Sequence, residues 1–156
     1  MKKNCFKRIS QYIIFSFSAY LVFSFTSCEL ETSHNGDLDG FWHLVQVDTL
    51  QTGGVKDTSK DLIFWSIQLN LLELSDHSYS IPIYMARFNH ENGQLKVTQP
   101  CLYNRYEGNE MVTEETLHNI SPFGLNALEE TFQVEGLSGS KMKLSNGKLR
   151  LYFKKM

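Results

Sequence analysis

The sequence lacks the short motifs that carry most enzymatic and metal chemistry. Its five histidines, His34, His43, His77, His90 and His118, include no pair at the spacing of a zinc site on a helix or a knuckle. There is no Gly-x-Ser-x-Gly elbow, no phosphate-cradling loop and no dinucleotide fingerprint. Glu114-Glu115 and Glu129-Glu130 are sequence neighbours, so their carboxylates point in different directions and do not form an acid/base pair. No catalytic residue, no metal and no cofactor is therefore expected. Positive charge is also scarce, with 15 Lys and Arg against 17 Asp and Glu. A nucleic-acid partner needs a basic stripe to displace counterions, and none is expected here. The one local excess, Lys141, Lys143, Lys148, Arg150, Lys154 and Lys155, alternates with Met142, Leu144, Leu149, Leu151 and Phe153, as the solvent side of strands does. Long apolar runs are missing beyond the first segment. The best later candidate is broken by Ser66, Gln68 and Asn70, far short of the roughly 20 residues that a membrane helix needs.

What is present begins with an export leader. Lys2, Lys3, Lys7 and Arg8 precede an uncharged apolar run over residues 12–25, which is short for a stable span and suits a signal segment. Phe25-Thr26-Ser27-Cys28 follows. This stretch resembles the lipobox of bacterial lipoproteins, in which small residues precede a cysteine that receives a diacylglycerol thioether and becomes the mature N-terminus; Phe25 stands where leucine is usual. The resemblance implies cleavage before Cys28, lipid on Cys28 and outer-membrane anchorage, made durable by several acyl chains on one residue. Residues 1–27 are then the signal peptide, and residues 28–38, with Ser33, Asn35 and Gly36, a flexible tether. Residues 39–156 are one domain. Glu29 and Glu31 look like the acidic signals that send some lipoproteins of the Bacteroidota to the cell surface, which favours that face over the periplasmic one.

Removing the leader takes away all four of its basic residues and none of the acidic ones, so the mature chain carries a net charge near −6. Cys5 leaves with the leader and Cys28 is spoken for, so Cys101 stands alone. The domain has no internal disulfide to lean on and must stand on its hydrophobic core, in which Cys101 is a small packed hydrophobe.

From residue 39 the pattern has period two. Phe41, Trp42, Leu44, Val45 and Val47 make a first strand, ended by Gly53-Gly54. Residues 61–75 read as one long strand, with Ile63, Trp65, Ile67, Leu69 and Leu71 on one face and Leu62, Phe64, Ser66, Gln68, Asn70 and Leu72 on the other. Which face is inward stays open. After the turn Asp76-His77-Ser78, the residues Tyr79, Ile81, Ile83 and Met85 repeat the alternation, with Pro82 marking an edge or a bulge. Asn92-Gly93 is a hairpin turn before Leu95 and Val97, and Asn146-Gly147 one before Leu149, Leu151 and Phe153. Residues 107–130 break the rhythm. There Ser121-Pro122 starts a short helix to about Glu130, with Leu125, Leu128 and Phe132 on one face, or else the stretch is a loop over a barrel mouth.

Gly40-Phe41-Trp42 resembles the Gly-x-Trp signature of lipocalins, in which the tryptophan closes the barrel floor beneath a basic residue of the last strand; Arg150 is the matching candidate. With the closing hairpin, residues 38–156 resemble lipocalin-like (calycin-type) lipoproteins of the Bacteroidota. The fold implied is all-β, an up-and-down antiparallel barrel of about eight strands with one short helix.

Two functions follow as expectations. The first is a non-enzymatic binding module, anchored to the membrane through Cys28, that holds a small apolar or amphipathic ligand in the barrel. The mixed face Phe64, Ser66, Gln68 and Asn70 is then the candidate lining. The second is an interaction or scaffold subunit of an outer-membrane assembly, such as one handling glycans, with a filled barrel and a protein partner at residues 103–121. Replacing Cys28 with serine should release the protein from membranes or block its processing; a cleaved product that still fractionates with membranes would overturn the lipid anchor.

Overall fold

The structure, a computed structural model, describes residues 33–156, so the expected leader, Cys28 and the first part of the tether lie outside the described residues. Residues Ser33–Met156 form one compact unit. Ten strands make a single antiparallel sheet: β1 (Gly40–Thr49), β2 (Gly54–Asp57), β3 (Ile63–Gln68), β4 (Leu71–Asp76), β5 (Tyr84–Glu91), β6 (Gln94–Leu102), β7 (Glu110–Met111), β8 (Glu130–Leu137), β9 (Lys141–Ser145) and β10 (Leu149–Lys155). Eight of them, in the order β1-β3-β4-β5-β6-β8-β9-β10, close into a barrel because β10 pairs back onto β1 from Trp42 opposite Lys155 to Thr49 opposite Leu149. Short β2 and β7 pair at the sides of β1 and β6. Full closure leaves no long free edge to template aggregation.

Each barrel strand gives one face to the interior. Trp42 and Leu44, Trp65 and Ile67, Leu72 and Leu74, Tyr84 and Phe88, Leu95 and Val97, Phe132 of β8, Met142 and Leu144, and Leu151 and Phe153 are all buried in one core cluster. Thr58 carries β1 past the gap between its two partners on that side: its amide donates to the Val45 carbonyl (3.0 Å) and its Oγ1 to the Leu44 carbonyl (2.8 Å). The β1 ladder therefore continues without an unpaired buried carbonyl, which would cost about 1–3 kcal/mol. Asn92-Gly93 forms the expected tight hairpin, with φ of 52° and 73°.

The structure departs from the sequence reading at five places. Residues 61–75 are two strands, because Leu69 turns into the left-handed region (φ 55°) and its carbonyl accepts a hydrogen bond from Asn35 Nδ2 at 2.7 Å. The long alternation hid a tight turn at Leu69-Asn70, whose left-handed leucine a tertiary contact pins. Residues 79–83 are loop, and β5 begins at Tyr84, so Tyr84, Ala86 and Phe88 face inward in place of the Ile81-Ile83-Met85 row. Instead of an α-helix from Pro122 to Glu130 there are 3-10 turns at Leu117–Asn119 and Ser121–Phe123. Gly124 ends the second at φ 88°, and a Cβ there would come within 2.7 Å of Leu151 Cδ1, so this position requires glycine. The last hairpin turns on Gly147-Lys148, one residue later than expected, with Asn146 opposite Leu149. Finally, Asn35 and the 3-10 turn Gly36–Leu38 belong to the barrel and not to a flexible tether, since Leu38 is fully buried.

Trp42 is fully buried and its indole N–H donates to the Leu38 carbonyl at 2.8 Å. Trp42→Ala should cost about 3–5 kcal/mol, read as a lower urea midpoint; an unchanged midpoint would mean that the floor does not hold the barrel.

Candidate functional site

Three parts of the barrel bear on function: its floor, its interior and its mouth. At the floor, Trp42 and Lys155 are directly opposed on β1 and β10, and the Lys155 ammonium sits 4.8 Å from the Trp42 ring centroid. Lys155 Nζ also donates to the Asp37 carbonyl at 2.9 Å. A cation over an indole face gains about 0.5–1 kcal/mol or more when desolvated. Gly40 makes room for this arrangement. Its φ is 134°, and a Cβ would lie 2.5 Å from Lys155 Cε.

The basic partner of the tryptophan is thus Lys155, not Arg150. Arg150 lies on the outer wall, opposite Asp48, and grips Glu135 with both Nε (2.8 Å) and Nη2 (3.0 Å). The hydrogen bonds from Arg150, aided by Lys143, hold the Glu135 carboxyl below its usual range against the opposing effect of burial. The signal for Lys155 was in the sequence only as register: it follows Phe153 by two and so shares its face.

The interior is occupied by side chains. The Trp65 indole N–H donates to the Phe123 carbonyl at 3.0 Å, which ties the 3-10 turn Ser121–Phe123 into the barrel. The Trp65 ring lies 4.9 Å from Phe153 and 6.0 Å, edge on, from Phe132. Phe123 is fully buried and meets Tyr84 edge on at 6.3 Å.

Phe64, Ser66, Gln68 and Asn70 do not line this interior. Alternation sends Ile63, Trp65 and Ile67 inward, so the mixed face is outside. Phe64 is stacked on Phe41 (4.6 Å) and His43 (4.8 Å), with His77 at 4.7 Å. Ser66 is half-buried and Gln68 exposed, while the exposed Asn70 accepts a hydrogen bond from Arg87 at 2.7 Å. The structure brings none of these four together as a cavity lining. Cys101 is buried on β6 with a free thiol. Among the described residues, no group of three His, Cys, Asp or Glu is placed to hold a metal ion.

At the mouth, Asp76 organises the loop between β4 and β5. Its carboxylate accepts from Ser78 N (2.8 Å), Ser78 Oγ (2.7 Å), Ser80 N (3.0 Å) and Ile81 N (3.2 Å), although the residue is only 6% exposed. That wrapping holds Tyr79 outward, 92% exposed and at φ 61°. On the neighbouring strands, Tyr103 donates its backbone N–H to the Ile83 carbonyl, and Met111 lies opposite Cys101. Ile83, Tyr103, Tyr106 and Met111 are all exposed, Tyr106 by 95%. The sequence shows Asp76 only as a turn residue, because its role as a hub depends on four donors converging from the following loop.

A closed antiparallel barrel with its floor sealed by a tryptophan under a basic residue of the last strand is a lipocalin-like barrel, a fold that typically serves binding rather than catalysis. A family model described as a lipocalin-like domain matches residues 21–156, and the chain belongs to that family. It is similar to a crystal structure of a lipocalin-like protein from Bacteroides uniformis ATCC 8492, with 20% identity, 78% of this chain and 100% of that chain covered, and a TM-score of 0.58. It is also similar to an uncharacterized protein from Bacteroides eggerthii DSM 20697, with 26% identity, 76% and 98% coverage and a TM-score of 0.55. No curated relative matches.

Burial alone would raise the Asp76 carboxyl, but the donors from Ser78, Ser80 and Ile81 outweigh it and hold the pKa below the ordinary aspartate value. A folded-state pKa below the unfolded one stabilises above about pH 4, and that contribution is lost as pH falls through the folded value. Asp76→Asn should therefore cost about 1–3 kcal/mol at neutral pH and flatten the acid loss of stability below about pH 4. Urea unfolding across that range checks it, and an unaltered pH profile would remove Asp76 as the loop's anchor.

Proposed function

We propose that this protein is a lipid-anchored, non-enzymatic lipocalin-like lipoprotein that acts through its outer surface, as an interaction subunit of an outer-membrane assembly. The observation that carries this reading is the filled interior: Trp65 packs against Phe132 and Phe153 where a ligand would sit, its indole N–H is hydrogen-bonded to the carbonyl of Phe123, and Trp65, Phe123 and Phe132 are all fully buried. Small barrels filled by their own side chains have little room for a guest. The expectation of a ligand inside the barrel, lined by Phe64, Ser66, Gln68 and Asn70, therefore gives way to the scaffold reading.

The surface suited to a protein partner is the mouth-side set of Tyr79, Ile83, Tyr103, Tyr106 and Met111, all exposed. Tyrosine and methionine are enriched in interface cores, and an exposed apolar group of this kind on a small domain is a reason to expect an interface. The lipid on Cys28 supplies membrane attachment in this reading, and Glu29 and Glu31 favour display at the cell surface.

The test is a photo-crosslinking residue at Tyr106 in the full-length protein, expressed in its own host, beside the same residue at Lys96 on the side wall. A discrete crosslinked membrane-protein partner from position 106 alone is expected. No partner, together with a stoichiometric small apolar molecule seen by native mass spectrometry of the purified protein, would reverse the assignment in favour of a ligand-holding barrel.

A further inference from the structure

The outer wall formed by β8, β9, β10 and β1 carries a groove of about 580 Å³, within the roughly 300–1,000 Å³ of small-molecule sites. Two bulges make it. On β1 the pairing to β10 slips between Leu44 and Gln46, with Val45 as the extra residue; on β8 the pairing to β9 slips between Val134 and Gly136, with Glu135 as the extra residue. Bulges bend and twist a strand locally, and here they flank the β9–β10 hairpin on both sides, so the wall between them is concave.

The base of the groove is apolar. Val45, Leu137 and the Tyr152 ring line it, and the Tyr152 hydroxyl is fastened to Asp48 Oδ2 at 2.9 Å, which fixes the ring along the wall. Gly136 contributes no side chain, although its backbone does not demand glycine: a Cβ there would meet nothing closer than Lys143 Cβ at 3.9 Å. The open space is therefore a property of the residue chosen and not of a strained turn.

The rim is cationic. Lys141 and Lys154 stand directly opposite each other on β9 and β10, and neither has an ion-pair partner among the described residues, whereas the neighbouring Lys143 is held by Glu135 at 3.3 Å. Like charges directly opposed across strands destabilise a sheet. Solvation of a polar face accounts for lysines on the outside, but not for two unpaired ones facing each other over an apolar groove. An anion seated between them would relieve the repulsion while its apolar body covered Val45, Leu137 and Tyr152.

We propose that this groove binds an amphipathic anion, one anionic head between Lys141 and Lys154 with an aliphatic or alicyclic body along Tyr152 and Gly136. The site is on the outside of the barrel, distinct from both the filled interior and the mouth surface, and does not rest on the lipid anchor.

The test uses dodecanoate, with uncharged dodecanol as its control, titrated below the micelle concentration into residues 33–156, the compact unit that holds the whole described core. Calorimetry should show one site for dodecanoate and at least about tenfold weaker binding of dodecanol. Gly136→Leu, which fills the groove, should abolish binding, and the double variant Lys141→Glu with Lys154→Glu should weaken it about tenfold or more, both with a native thermal midpoint. Absence of dodecanoate binding overturns the proposal, as does unchanged binding by a folded Gly136→Leu variant. Equal binding of dodecanoate and dodecanol, or no effect of the charge reversals, overturns the anionic head. Should Gly136→Leu unfold, the lysine variant and the dodecanol comparison decide.

Discussion

The pairing of β10 with β1 is the contact on which the barrel depends. It joins residues more than a hundred positions apart, Trp42 and Lys155, and turns an open sheet with two edges into a ring. Several local choices make sense only once that ring is closed. Gly40, at φ 134°, leaves the space that the Lys155 side chain crosses, Lys155 lies over the Trp42 ring, and Leu38 and Asp37 are drawn beneath the floor by the Trp42 indole N–H and the Lys155 ammonium. Among the described residues the one cysteine, Cys101, is free, and the barrel gains from this arrangement what a cross-link would otherwise supply: its first and last strands are held together by buried surface and hydrogen bonds.

Closure also decides what the interior holds. Eight short strands enclose a volume that their own large residues fill, and Phe123 is pushed in from the mouth to complete the packing. The irregular features lie outside the filled core, in loops held by Asp76 and the 3-10 turns and in the wall shaped by the bulges at Val45 and Glu135, where the proposed recognition is sought. The fold serves as a rigid frame, and the irregular features carry what is particular to this chain.

Much of the architecture was legible along the chain. Alternation marked most strands, Asn92-Gly93 marked its hairpin, and Gly40-x-Trp42 pointed to a sealed floor. The readings that failed share a cause. Leu69 and Tyr79 adopt left-handed conformations that neither residue favours, held by Asn35 and by Asp76 respectively, so local propensity gave no warning of a turn at one or a looped-out segment at the other. The helix expected after Pro122 was stopped by Gly124, whose need for glycine comes from Leu151, far away in sequence.

From sequence alone came the strand-rich class, because it rests on short-range periodicity, while the export leader ending at Cys28 stands as an expectation from a local resemblance. Tertiary structure decided that Trp65 rather than Phe64 is inside, that Lys155 rather than Arg150 guards Trp42, and that the interior is full. A period of two is unchanged when the two faces are exchanged, and a cross-strand partner is chosen by the register of ring closure, which no local window contains.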